Sequence, residues 1–160
     1  LLESRGLGDV YKRQSIHRAY KSCGIPSNHA IKRWASLALG TLSKESELSI
    51  RIVDQEESAL LNKKYRNKVG STNILSFPMN IESPDREIFL GDLVICAQTI
   101  ANEAKQQKKK LDEHWAHIVI HGILHLLGYS HDKSSNTKTM EDLERKLLSE
   151  INISNPYIAN

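Results

Sequence analysis

The sequence predicts an α+β fold, a small mixed β-sheet packed with helices, and three observations carry that reading. Short runs of strand character fall at residues 48–52, 73–77 and 89–96. Longer runs with apolar residues at helical spacing fall at 27–39, 97–110, 112–127 and about 139–150. The two kinds do not alternate regularly, as repeated strand–helix–strand units would require.

Taken in order, residues 27–39 place Ile31, Trp34, Ala35 and Ala38 on one helical face, with Ser27 or Asn28 available as N-cap after Pro26. Leu48, Ile50 and Ile52 alternate with Glu47, Ser49 and Arg51, the pattern of a strand with one buried face. Asp54 then offers a capping side chain with Glu57 three residues on, opening a helix that runs to about Tyr65. Residues 73–77 read as a strand stopped by Pro78, and 89–96 as a strand buried on both faces for much of its length. Residues 97–110 form a polar helix ending in Lys108-Lys109-Lys110, and Asp112 caps the next helix, which carries His114 through His125. Ser134 or Ser135 begins the last segment, whose stripe of Met140, Leu143, Leu147 and Leu148 makes a helix from about Thr139 to Glu150.

A chain of 160 residues fits a single core. With 39% hydrophobic and 26% charged residues it has an ordinary globular composition, and no apolar run approaches the ~18 residues of a membrane helix. No signal peptide is read, so export is not supported. Cys23 and Cys96 lie far apart without metal-binding spacing and are read as reduced thiols. The net charge of +3 is a weak pointer to an anionic partner. Residues 9–14, Asp-Val-Tyr-Lys-Arg-Gln, resemble a translated sequencing adapter, so residues 1–14 are set apart as a non-native segment. Arg5, Lys12 and Arg13 against Glu3 and Asp9 give that segment +1 of the net charge, which weakens the pointer further. The domain expected is 15–151, with 152–160 as a C-terminal tail.

The chemistry concentrates in one segment. His121 and His125 stand one helical turn apart and can direct two imidazole nitrogens at one ion. Gly128 is placed to reverse the chain in a left-handed conformation, which can bring His131 back to the pair. Three protein ligands with a fourth position left to water is the pattern of catalytic zinc, so one Zn2+ held by His121, His125 and His131 is the expected cofactor, in a cleft on the histidine-bearing helix. His114 and His117 share that helix face and either can in principle be a ligand. The Gly128 turn favours the His121 pair, so they are given packing or supporting roles. Gly122 occupies the position where the zinc-peptidase motif His-Glu-x-x-His carries its general base, which counts against peptidase chemistry.

His121-Gly-Ile-Leu-His125-Leu-Leu-Gly-Tyr-Ser-His131 resembles the metal motif of the YbeY family, rRNA maturation factors described as single-strand endoribonucleases. Tyr65-Arg66, Thr72-Asn73-Ile74-Leu75-Ser76-Phe77-Pro78, Leu90-Gly91-Asp92-Leu93-Val94-Ile95-Cys96 and Met140-Glu141-x-Leu143-Glu144 resemble its other blocks, over roughly residues 48–148. Val69 and Ser130 depart from aspartates frequent in the family. The resemblance implies a zinc-dependent endoribonuclease that acts on single-stranded rRNA in 16S 3′-end maturation and ribosome quality control. It also implies a cytoplasmic protein in contact with the small ribosomal subunit and its assembly factors, while the lack of a long apolar run gives the expectation of no membrane partner. It gives Arg66 a catalytic role, which suits a planar, permanently charged guanidinium facing phosphate oxygens. From spacing alone Arg66 reads as a solvated helix-end arginine beside Lys63, Lys64 and Lys68. Lys108 to Lys110 serve equally well as partners of a helix dipole or of RNA and are left outside the site. Two other classes compete: a ribosome-assembly binding factor whose metal is mainly structural, and a metal-dependent hydrolase of another substrate.

Overall fold

The computed structural model describes residues 12–40 and 42–158. The elements in chain order are β1 (Lys12–Arg18), α1 (Asn28–Leu39), β2 (Ser46–Val53), α2 (Gln55–Arg66), β3 (Ile74–Glu82), β4 (Ile88–Cys96), α3 (Ala97–Gln106), α4 (Leu111–Leu126) and α5 (Ser134–Ser149). The four strands form one sheet in the order β1-β2-β4-β3. β1 and β4 run parallel to β2, and β3 runs antiparallel to β4, so the sheet is mixed as expected.

Strand periodicity sorts the side chains into two layers. Leu48, Ile50 and Ile52 of β2 and Leu93 and Ile95 of β4 face a large core that includes Ile31 and Leu39 of α1 and Trp115, Ile120, Ile123 and Leu124 of α4. On the other face Val53, Leu75, Val94 and Cys96 make a smaller cluster with Leu61 and Phe77 packed against it. β4 is therefore apolar on both faces because helices lie on both sides of it. Each fully buried Leu or Ile contributes roughly 1.5–3 kcal/mol, and α4 supplies so many of them that it is the central helix of the molecule.

Four boundaries differ from expectation, each for a local reason. β3 continues past Pro78 to Glu82: it is the edge strand, where a missing N–H is tolerated, and its register with β4 shifts between Pro78 and Ile81. α3 stops at Gln106 because Lys108 turns into the left-handed region (φ 55°), so the lysine run lies in the link to α4. Asp112 lies inside the first turn of α4; the N-cap is Lys110, which makes no side-chain capping bond, and Asp112 and Glu113 complement the helix dipole instead. α5 begins at Ser134, a turn before its apolar stripe. By contrast Ser27 caps α1 by accepting from Ala30 N, and Asp54 caps α2 by accepting from Glu57 N at 2.9 Å. The Glu57 carboxylate closes on Arg51 in a two-pronged ion pair (2.5 and 3.0 Å).

β1 was not expected. Only Ile16 is apolar in its seven residues, and it is held as an edge strand by pairing in register with β2 from Lys12↔Ser46 to Arg18↔Ile52. Lys12, Arg13 and Gln14 of the segment 1–14 belong to this strand; residues 1–11 lie outside the described residues. No helix among the described residues is long and apolar enough to cross a membrane.

Candidate metal centre

α4 carries His121 and His125 on a part of its surface that lines an open cleft. The helix closes at Leu127, Gly128 takes φ 103°, and Tyr129 N donates back to Leu124 O at 3.0 Å. This left-handed turn redirects the chain so that the His131 ring lies 5.1 Å from each of the other two, centre to centre, and the His121 and His125 rings lie 4.6 Å apart. One nitrogen from each of the three rings falls within 4.8 Å of the others.

The hydrogen bonds at the back of the rings decide which nitrogens face inward. His125 Nδ1 donates to the carbonyl of Tyr129 at 3.0 Å, and His121 Nδ1 donates to the Glu144 carboxylate. A carbonyl and a carboxylate only accept, so in the neutral rings both Nε2 atoms carry lone pairs. Those two atoms face each other at 3.1 Å. Two bare lone pairs repel unless a cation lies between them. Nitrogens bound ~2.0–2.1 Å from a tetrahedral zinc stand roughly 3.3–3.4 Å apart, close to what is found. The three residues therefore fit a metal ion. Burial lowers the pKa of His125, helped by the positive potential of His121 and His131, which favours its neutral, ligating form.

Glu144 is the functional residue that the sequence reading missed. It is 0% exposed and, among the described residues, has no lysine or arginine partner. His121 Nδ1 donates to one carboxylate oxygen; His117 Nε2 (3.3 Å) and the Tyr157 hydroxyl approach the other. Burial alone would raise the carboxyl pKa, but the hydrogen bonds from His117, His121 and Tyr157 and the charge of His121 overcome it and hold the pKa down to about 2. A signal existed: Glu144 interrupts the apolar stripe of α5 between Met140 and Leu147. His117 thus supports Glu144. His114 serves elsewhere, bonded at 2.9 Å to Glu103, which also accepts from Asn73.

Arg66, the last residue of α2, reaches round the β3 edge. Its Nη2 donates to Ser76 O at 2.7 Å and its guanidinium lies 5.6 Å from the centre of the Phe77 ring. Among the described residues no carboxylate pairs with it. Arg66, Ser76, Pro78, His121, His125 and Ser130 line one open cleft of about 580 Å³. Val69, by contrast, is 91% exposed. Gly122 faces the sheet: a Cβ there would stand 2.3 Å from Ile74 Cδ1 and 3.1 Å from Leu93 Cδ2. The position that carries a glutamate in zinc peptidases is thus closed to any side chain by Ile74 and Leu93.

The YbeY family model, described as Endoribonuclease YbeY, matches residues 17–152. The chain belongs to the YbeY family. Curated YbeY endoribonucleases from two Pseudomonas putida strains, F1 and KT2440, are each 48% identical over 143 residues, covering 89% of this chain and 90% of theirs. The solution structure of TM1509 from Thermotoga maritima superposes with a TM-score of 0.59 at 22% identity, covering 86% of this chain and 88% of that one, and shares the fold. The YbeY match includes Arg66, the three histidines and Glu144, and ends before Tyr157.

Proposed function

We propose that this chain is a zinc-dependent endoribonuclease specific for single strands, with one Zn2+ held by His121, His125 and His131 and with Arg66 as its catalytic arginine. The observation that carries the reading is one cleft lined both by Arg66, which has no carboxylate partner among the described residues, and by His121 and His125 of the three-histidine cluster. The names of its Pseudomonas putida relatives supply the substrate class, RNA. When bound, the ion would supply Lewis acidity toward a phosphoryl oxygen or lower the pKa of a bound water to about 7.

The chain's own residues supply the rest. Arg66 presents donors in a plane that matches two phosphate oxygens, and the Ser76 carbonyl fixes the orientation of that plane. Its charge also stabilises the extra negative charge of the transition state. Tyr129 O and Glu144 hold the rings of His125 and His121 with Nε2 inward. The cleft is open along its length, which suits an extended strand. We further propose that residues 15–151 form the catalytic unit and that it works in the cytoplasm. There it would act in 16S rRNA 3′-end maturation and ribosome quality control, on the small subunit alongside its assembly factors.

Cleavage of single-stranded rRNA by metal-quantified protein tests the proposal. Arg66→Ala is expected to keep its zinc and lose about 100- to 1,000-fold in rate, the usual cost of removing a donor to transition-state charge. An unchanged rate would remove Arg66 from the chemistry, and a wild-type protein that binds zinc but cleaves no RNA would move the protein to the class of binding factors with a structural metal. A substrate with 2′-deoxyribose at the scissile nucleotide identifies the nucleophile: cleavage that persists assigns attack to water, and its loss assigns attack to the 2′-hydroxyl.

A further inference from the structure

We propose that Tyr157 is a positioning residue for the metal centre, docked there by the C-terminal segment 153–158, an inference that rests on the metal reading above. Tyr157 lies beyond the residues matched by the YbeY model. Its hydroxyl nevertheless donates to the wholly buried Glu144 carboxylate, whose other oxygen holds His121 Nδ1. The linkage from Tyr157 through Glu144 reaches His121 Nδ1 and so sets the direction of the ring whose Nε2 would hold the ion.

The segment is built to hold that contact. Lys109 Nζ donates to Pro156 O at 2.8 Å, and Tyr157 N donates to Asn155 Oδ1 at 2.9 Å. The Tyr157 ring stands edge-on to His117, 5.4 Å between centres, and His117 Nε2 lies 3.3 Å from the phenol oxygen and 3.3 Å from Glu144. A buried carboxylate needs every donor it can collect, because a missing bond leaves charge unsatisfied in a medium of low polarity. Without the phenol, one oxygen of Glu144 keeps only the long contact from His117. The carboxylate can then rotate, and the His121 ring loses its fixed tautomer and direction. Partners of this kind behind a metal-ligating histidine commonly change metal affinity by about 10–100-fold.

The test uses the full chain and the metals alone. Zn2+ affinity is measured by competition with a chromophoric chelator, and Co2+ is bound in place of Zn2+ to read coordination geometry from its visible absorption. Tyr157→Phe keeps the ring against His117 and removes only the hydroxyl. It is expected to weaken Zn2+ binding about tenfold and to alter the Co2+ spectrum, while the metal-free protein still folds and melts cooperatively at a somewhat lower temperature than the wild type. Lys109→Met, which loosens the segment and spares the phenol, is expected to shift affinity in the same direction by less. Affinity and spectrum unchanged in Tyr157→Phe would overturn the proposal. So would two bound metals per wild-type chain with one lost in the variant, since His117, Glu144 and Tyr157 would then be ligands. A wild-type chain that takes up neither metal would overturn both this inference and the metal reading. Intact metal binding without RNA cleavage would remove the nuclease reading alone.

Discussion

Glu144 shows how one side chain joins stability to chemistry. Its carboxyl pKa falls from an ordinary 4.5 to about 2 in the folded protein, so it binds its proton more weakly folded than unfolded. A group of this sign stabilises the fold fully above the unfolded value, and the contribution is lost as pH falls from about 4.5 through about 2. Its size is on the order of 3 kcal/mol, with part of it shared with His117 and His121. Urea unfolding of the metal-free protein across that window should show stability falling more steeply for the wild type than for Glu144→Gln. Parallel pH curves for the two would mean that the carboxylate is not held ionised by the fold. The residues readable in advance were those linked by local geometry: His121 and His125 by helical period, and His131 by the Gly128 turn. Glu144 lies 23 residues from His121, and only packing joins them.

At the scale of elements, the antiparallel pair β3–β4 places Ser76, and with it Arg66, across from α4. Its weak point is Gly91, opposite Pro78 where the register begins to shift. Gly91 has φ 142°, and a Cβ there would lie 2.1 Å from Phe77 O, a backbone atom with no freedom to swing away. Gly91→Ala should therefore cost roughly 2–3 kcal/mol, combining backbone strain with overpacking. Thermal melting checks the loss; a melting temperature equal to wild type would show that the strand relaxes without strain. The elements that the sequence disclosed were those with a strong period or a capping side chain, such as β2 with Leu48, Ile50 and Ile52 and α2 with Asp54. β1 has one apolar residue in seven, and its hydrogen bonds to β2 make it a strand. The extension of β3 past Pro78 likewise depends on its edge position, a property of the assembled sheet.

Across the whole molecule, core and metal centre draw on opposite sides of α4. Ile120, Ile123 and Leu124 bind the helix to the sheet and α1, while His121 and His125 line the cleft and group with His131. The fold is therefore expected to persist without the ion, unlike small domains that collapse without their metal. α+β class, mixed sheet and the grouping of His121, His125 and His131 were legible because they follow from periods and a turn. The contribution of residues 153–158 was not, since nothing local marks Tyr157 as the partner of a carboxylate on α5. Titrating zinc into metal-free protein while following cleavage of single-stranded rRNA tests the central claim most directly. The account predicts a folded, inactive starting protein whose activity rises to a plateau at about one equivalent of zinc and stays flat in His125→Ala. Full activity before any metal is added, or equal activity in His125→Ala, would contradict it.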